Sequence, residues 1–197
     1  MMHEQGLFAW ASRVAEHELA EPLPRRWAHS LGVAGQAAKL APLLGGQAEH
    51  LQAAAVLHDV GYAPRLATTG FHPLDGARFL RDEHHADDLV VRLVANHSCA
   101  LLEAEERGVR TVLEHEFPLV EGSLLVDALI YSDMTTTPDG EVTTVAARLT
   151  EIRTRYGDDS VVGRFIRRAA PELAAAVARI DAAAALGVSL RGDVAAG

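Results

Sequence analysis

Several ionisable residues stand where the helical pattern calls for apolar ones. His29 shares a helix face with Val33, and Leu40 lies near that face eleven residues on. His97 follows Val90, Leu93 and Val94 at seven, four and three residues, and Asp133 follows Val126, Leu129 and Ile130 at the same offsets. His58 and Asp59 close the most apolar run of the chain, directly after Ala53-Ala54-Ala55-Val56-Leu57. An uncompensated carboxylate in such surroundings costs several kcal/mol, so each inward Asp needs a cation, a set of donors or a raised pKa. Taken singly, any of these residues also reads as a core histidine bonded to a carbonyl, or as an Asp paired with Arg. Taken together, on separate helices, they point to a metal.

The donor chemistry is coherent. Neutral imidazoles with carboxylates form a mixed N/O set suited to Fe, Mn, Co or Zn, while Mg prefers more oxygen. Successive residues in mid-helix diverge by about 100°, but His58 and Asp59 at a helix end can both turn toward one ion.

Those residues need elements to position them, and the pattern predicts mostly helix. The first helix covers 7–20. Pro22 and Pro24 punctuate before a second, which runs from near Arg25 to about Leu44 and is ended by Gly45-Gly46. A third covers Leu51 to Val60 and stops at Gly61, read as a left-handed cap. After a turn-rich loop, His72-Pro73 opens a fourth, with Asp75 in its first turn. A fifth spans roughly 86–97 and continues after a bend toward Arg107-Gly108. A sixth covers about 121–134. The break around Pro138 and Asp139-Gly140 precedes helices near 143–156 and 159–186, and the tail from Arg191 reads as loose.

Hydrophobic residues make up 49% of the 197 positions but aromatics only 5%, which favours helices packed through small side chains over a sheet. One domain over about 1–190 is the expectation, with a motif-bearing core at 25–135. Cys99 stands alone, so no intrachain disulfide forms and a reducing cytoplasm fits. The stretch Met1 to Glu21 reads as neither a secretory signal nor a membrane span, because Glu4, Glu16 and Glu18 interrupt it. A net charge of -9 argues against general nucleic-acid binding, which needs a basic surface. It does not argue against a small phosphorylated ligand, since a metal brings its own positive charge. Oligomeric state stays open, because the Ala-rich last helix could pack in its own core or on a second subunit.

The ordered pattern H…HD…D, with His29 in RWAHSLGVA, His58-Asp59 in AAVLHDVGY and Asp133 in LIYSDMT, resembles the HD-domain metal-dependent phosphohydrolases over roughly residues 25–135. The resemblance implies an all-α, compact helical bundle, here with additional C-terminal helices, whose four motif residues hold a divalent metal. Some branches, such as the HD-GYP phosphodiesterases, add histidines for a second ion. His72 in FHPLDGARFL is similar to their His-Pro-x-x-Gly element, and His97 in ANHSCA lies where they carry paired histidines. Here one of that pair reads Asn96 and no GYP tripeptide follows, which speaks against a cyclic-dinucleotide phosphodiesterase. A second ion bridged by Asp59 stays open, as does a capping role for His72.

The implied chemistry is metal-assisted hydrolysis of a nucleotide or related phosphate ester, with Asp59 also orienting water. Arg65, on the loop after the HD helix, is the nearest cation for the phosphate, or else a solvated loop arginine; Arg25 and Arg26 are weaker candidates. No Walker-type cradle and no G-x-S-x-G elbow is present. His3, His17, His50, His84, His85 and His115 read as surface residues. Two further readings compete: a di-iron oxygenase using His72 and His97, and a non-catalytic metal- or nucleotide-binding module.

Overall fold

The computed structural model describes residues 6–120 and 124–187; His3, the tail from Arg191 and the expected helix start at 121 lie outside them. The described elements are α1 (Leu7–Leu19), α2 (Pro24–Lys39), α3 (Ala41–Leu44), α4 (Ala48–Leu57), α5 (His72–Asp82), α6 (Asp88–Asn96), α7 (Ala100–Glu106), α8 (Arg110–Glu116), α9 (Leu124–Met134), α10 (Val145–Tyr156) and α11 (Val161–Leu186). Among the described residues there is no strand, only an isolated bridge between Thr136 and Val142. The chain is all-α.

Beyond its first turn and Gln52, α4 is apolar on every side, with Leu51 and Ala53 through Leu57 fully buried. A helix with no polar face must lie inside, and α4 packs against α1, α2, α6 and α9. Helix α9 is buried along most of its length. Leu125 and Leu129 join the core around α4, while Ile130 and Met134 meet Ile152, Phe165, Ile166 and Leu173 of α10 and α11. The apolar face of α11 is therefore taken up within the chain. None of the described helices is long and apolar enough to cross a membrane.

The boundaries depart from the sequence reading in instructive places. The second helix does not run on to Leu44: it ends at Lys39, and the chain restarts as α3 with Pro42 in its first turn. The next helix starts at Ala48 rather than 51, after a 3-10 turn over Gly45–Gln47. The expected bend after α6 falls at Ser98 and Cys99, both left-handed at φ 47° and 62°, and α7 continues from Ala100. Helix α8 was not foreseen; Leu113 is its one buried residue, too little to show a period.

Gly61 is not a left-handed cap. It lies in the 3-10 turn Val60–Tyr62, where a Cβ would stand 2.1 Å from the His72 carbonyl oxygen and 2.5 Å from the Gly76 nitrogen. Backbone on both sides leaves nothing flexible to yield. This close approach seats α5 on the end of the HD turn, so Gly61→Ala is expected to cost about 3 kcal/mol or more. In a thermal melt that corresponds to a fall on the order of 6–12 °C; an unchanged melt would show that α5 can back away freely.

Candidate metal centre

Five segments deliver polar side chains to one point. His29 comes from the middle of α2, His58 and Asp59 from the end of α4, His72 from the first residue of α5, His97 from the end of α6, and Asp133 from the last turn of α9. All except His72, which is mostly covered, are buried. The His29 Nε2 lies 3.1 Å from Asp133 Oδ1, and the His58 Nε2 lies 3.5 Å from Asp59 Oδ2 and 3.9 Å from Asp133 Oδ1. On the other side of Asp59, His72 Nε2 stands 3.3 Å from Oδ1 and 3.1 Å from His97 Nε2. Two triads result, His29-His58-Asp59 and Asp59-His72-His97, each with donor atoms within 4.8 Å of one another. The two oxygens of Asp59 face different triads.

The backbone aims the rings. The Nδ1 atoms of His29, His58 and His97 lie 2.9, 2.7 and 2.6 Å from the carbonyl oxygens of Thr137, Ala55 and Val94. A carbonyl only accepts, so each Nδ1 carries a proton and Nε2 is turned inward, the orientation metal-binding histidines adopt. The Thr137 carbonyl is itself held in place. Gly140, at φ 86°, packs so closely on α2 that a Cβ would meet the Ala28 oxygen at 2.3 Å, pinning the loop 135–143 beside His29. Both single-residue readings of these side chains hold: the histidines do bond carbonyls, and Asp59 does pair with an arginine, Arg26. The carbonyls leave the Nε2 atoms turned inward, and Arg26 shares Asp59 Oδ2 with His58 while Oδ1 stays turned to His72.

Electrostatics favour charged carboxylates among mostly neutral imidazoles. Burial pushes the Asp59 carboxyl up, but the Arg26 charge, then His58 and His72, hold it well below its ordinary range. For Asp133 burial is again outweighed, by the His29 hydrogen bond and the charges of His58, His29 and Arg148. Burial lowers His58 to about 4, with Asp59 and Asp133 offsetting only part. His72 is lowered by burial too, whereas the Asp133 bond and charge overcome burial at His29 and raise it. With acceptors at both ring nitrogens, His29 holds a proton between itself and Asp133, a place a cation fits equally well. The His72 and His97 Nε2 atoms face each other at 3.1 Å, and His97 Nδ1 is already committed to Val94, so that pair also suits a shared cation. Two anions and four imidazoles, all inward, fit a divalent ion with mixed N/O preference.

Three neighbours brace the donors. Tyr62 stacks on His72 at 3.9 Å between ring centres, and the Arg26 guanidinium sits 3.6 Å over the Tyr62 ring. Asp75, buried in the first turn of α5, accepts from the Thr68 hydroxyl at 2.8 Å and the Thr69 amide at 3.0 Å, tying the loop that leads into His72. Ser98 donates its hydroxyl to Asp133 Oδ2 at 2.6 Å. Ser98→Gly keeps the left-handed backbone and removes only that hydroxyl. Stability is expected to stay within about 1 kcal/mol, since strain relief offsets the entropy of glycine. Metal affinity is expected to fall roughly tenfold, read by titration; unchanged affinity would show that Asp133 needs no help from Ser98.

Arg65 is not near this centre. Its guanidinium binds Glu18 at 2.7 and 2.8 Å and Glu83 at 3.3 Å and lies over Phe79, because the loop after Tyr62 turns it toward α1. Arg25 is committed to Asp139 at 2.7 Å. Arg26 is close to the centre, but as the partner of Asp59. Asn96 points to the Phe117 carbonyl at 3.0 Å and is no donor to the cluster. Of the histidines read as surface residues, His17, His85 and His115 are exposed and His50 is half-buried; His84 is half-buried between Trp10 and Phe79.

The cation of the cavity wall whose charge reaches Asp133 is Arg148 of α10; it pairs with Glu151, a carboxylate shared with Arg155, and its Nε is buried without a hydrogen-bond partner. Its only sequence signal is a helical spacing to Glu151 and Arg155, common on solvated faces. The centre forms the floor of a cavity of about 420 Å3, walled by α2, α10 and α11, a size usual for small-molecule sites.

A family model described as HD domain matches residues 26–186. No curated protein and no solved structure matches the chain. The match covers most of the chain, spans every residue of the cluster and extends through α11, and the His and Asp of the H…HD…D pattern meet in space: the chain belongs to the HD domain family.

Proposed function

We propose that the protein hydrolyses a small phosphate ester at a divalent metal centre held by His29, His58, Asp59 and Asp133, with His72 and His97 providing for a second ion that shares Asp59. The observation that carries this reading is the convergence of imidazole nitrogens and two charged carboxylates, all but His72 buried, at the floor of an open cavity. Metal-dependent phosphohydrolysis is the general activity of the family. The donor set favours Mn, Fe, Co or Zn over Mg. When bound, the metal supplies Lewis acidity, polarising the phosphoryl group and making a nucleophile available at neutral pH.

The chain's own residues do the rest. Asp59, between the triads, accepts a hydrogen bond from the attacking water and orients it. Arg26 keeps Asp59 charged and in place. Arg148 meets the phosphoryl oxygens from the opposite wall with charge-assisted hydrogen bonds. The water oxygen bonds to phosphorus, the ester P–O bond breaks, and the alcohol leaves with one proton of the water while the other goes to the phosphate product, orthophosphate from a monoester and a monoester from a diester.

Manganese-loaded protein is expected to turn over 4-nitrophenyl phosphate or bis(4-nitrophenyl) phosphate. Arg148→Ala should lower kcat/KM roughly 10–100-fold, the worth of a hydrogen bond to a charged group, while metal content stays unchanged. Absence of turnover across phosphomonoesters, phosphodiesters and nucleotides with every metal tested would overturn the reading. A second reading, oxygen activation at two irons, draws on the Asp59-His72-His97 triad. It requires iron and a paramagnetic or optical signal, which a manganese-dependent hydrolase does not.

A further inference from the structure

The cavity above the metal centre has two unlike halves. The floor and near wall are charged. The far wall, from α10 and α11, presents Ile152, Val162, Phe165, Ile166 and Leu173, with Met134 of α9 between it and the floor. Apart from the histidines of the centre, the uncharged hydrogen-bonding side chains among the described residues lining the cavity are Ser98, Tyr62 and Tyr156. Ser98 is committed to Asp133, the Tyr62 ring is stacked between Arg26 and His72, and Tyr156 is exposed rather than set in the apolar wall. No Asn, Gln or Thr is there to read a base edge or a sugar hydroxyl. Polar groups placed against such a wall would lose water and gain no partner, the usual basis for rejecting a hydroxylated ligand.

Charge is placed for one anionic head. Arg148 and Arg155 share the single carboxylate of Glu151, and both line the cavity. One positive charge is left over on the wall, and the Arg148 Nε is buried with no acceptor. This positive group and the apolar wall adjoin on α10, since Ile152 lies one turn beyond Arg148 on the same face.

We propose that the substrate is a phosphate monoester of a compact apolar alcohol, its phosphate held between the metal centre and Arg148 and its hydrocarbon body lying against Ile152, Val162 and Phe165. The proposal rests on the hydrolase reading for its chemistry and on the wall for its selectivity. The bonds made and broken are those of ester hydrolysis, with the apolar alcohol as the leaving group and water as the co-reactant.

The test compares benzyl phosphate with ribose 5-phosphate and AMP, all esters of primary alcohols, on the manganese-loaded protein. In parallel, benzylphosphonate and methylphosphonate, which cannot be hydrolysed at an ester bond, are titrated by calorimetry. Benzyl phosphate is expected to exceed both sugar phosphates in kcat/KM by roughly tenfold or more, and benzylphosphonate to bind roughly tenfold more tightly than methylphosphonate. Val162→Thr, which adds a hydroxyl to the wall at nearly constant volume, should reduce both preferences. Tight benzylphosphonate binding without cleavage of any ester would overturn the hydrolase reading and uphold the ligand class. Equal or faster cleavage of AMP or ribose 5-phosphate, or equal binding of the two phosphonates, would overturn the ligand class and leave the hydrolase reading in place.

Discussion

Asp59→Asn protein is expected to fold with its helices intact and to retain at most one weakly held ion, with turnover reduced by roughly 10^3 or more. The two carboxylate oxygens serve different triads: Oδ1 faces His72 at 3.3 Å, and Oδ2 faces His58 at 3.5 Å and Arg26. An asparagine has one oxygen for these two tasks and must turn its amide donor on the other triad. Arg26 also loses its charged partner, at a cost of about 3 kcal/mol in surroundings this closed. His72→Ala gives the contrast, because it removes a donor from one triad alone and should leave the His29-His58-Asp59-Asp133 ion bound. Metal analysis of the purified variants, with circular dichroism to confirm folding, reads both results. Full metal occupancy in Asp59→Asn would mean that Asp59 is not shared.

The second large effect is on stability, through metal and pH together. An ion at 100 times its dissociation constant should stabilise the fold by about 2.7 kcal/mol, a rise in Tm on the order of 5–10 °C. In the metal-free protein His58 is lowered to about 4 by burial. The unfolded chain therefore takes up a proton near pH 6.5 that the folded chain refuses until about 4. Stability falls as pH drops through that window, by about 1.4 kcal/mol per unit. His72, also lowered, acts in the same direction. His29 is raised, so its contribution is complete below the unfolded pKa and is lost as pH rises through the folded one, which offsets part of the fall. Asp59 and Asp133 contribute stability at every pH above the ordinary carboxylate range and lose it only in stronger acid. Denaturant titrations of chelator-treated protein at pH 7, 6 and 5 should show this decline, and metal should steepen it because protons compete for the same nitrogens. A flat profile would mean that His58 is not held neutral by burial.

Much of this centre was readable without coordinates, and the reason is periodicity. A polar residue on a helix face lined with Val and Leu must point inward, and that criterion alone selects His29, His97 and Asp133. The apolar run before His58-Asp59 marks α4 as the central helix, because beyond its first turn and Gln52 no side of it is polar. Periodicity does not select His72, since a Pro-containing helix start explains a histidine there as well as a ligand does.

What the sequence by itself determined is the all-helical character and, His72 apart, the residues that converge, because both follow from local spacing along a helix. What only the tertiary structure decided is what each of them meets. Arg65 is near in sequence, yet the loop carries it to Glu18 on α1; Arg148, ninety positions after His58, comes to line the cavity and its charge reaches Asp133. The commitment of Nδ1 on three histidines depends on carbonyls brought up by chain geometry, in one case from the distant Thr137. Gly61 carries no sign in the sequence that α5 presses on it, and Ser98 none that its hydroxyl reaches Asp133. Faces are written in helical periods of a few residues, whereas contacts between faces arise only when helices pack.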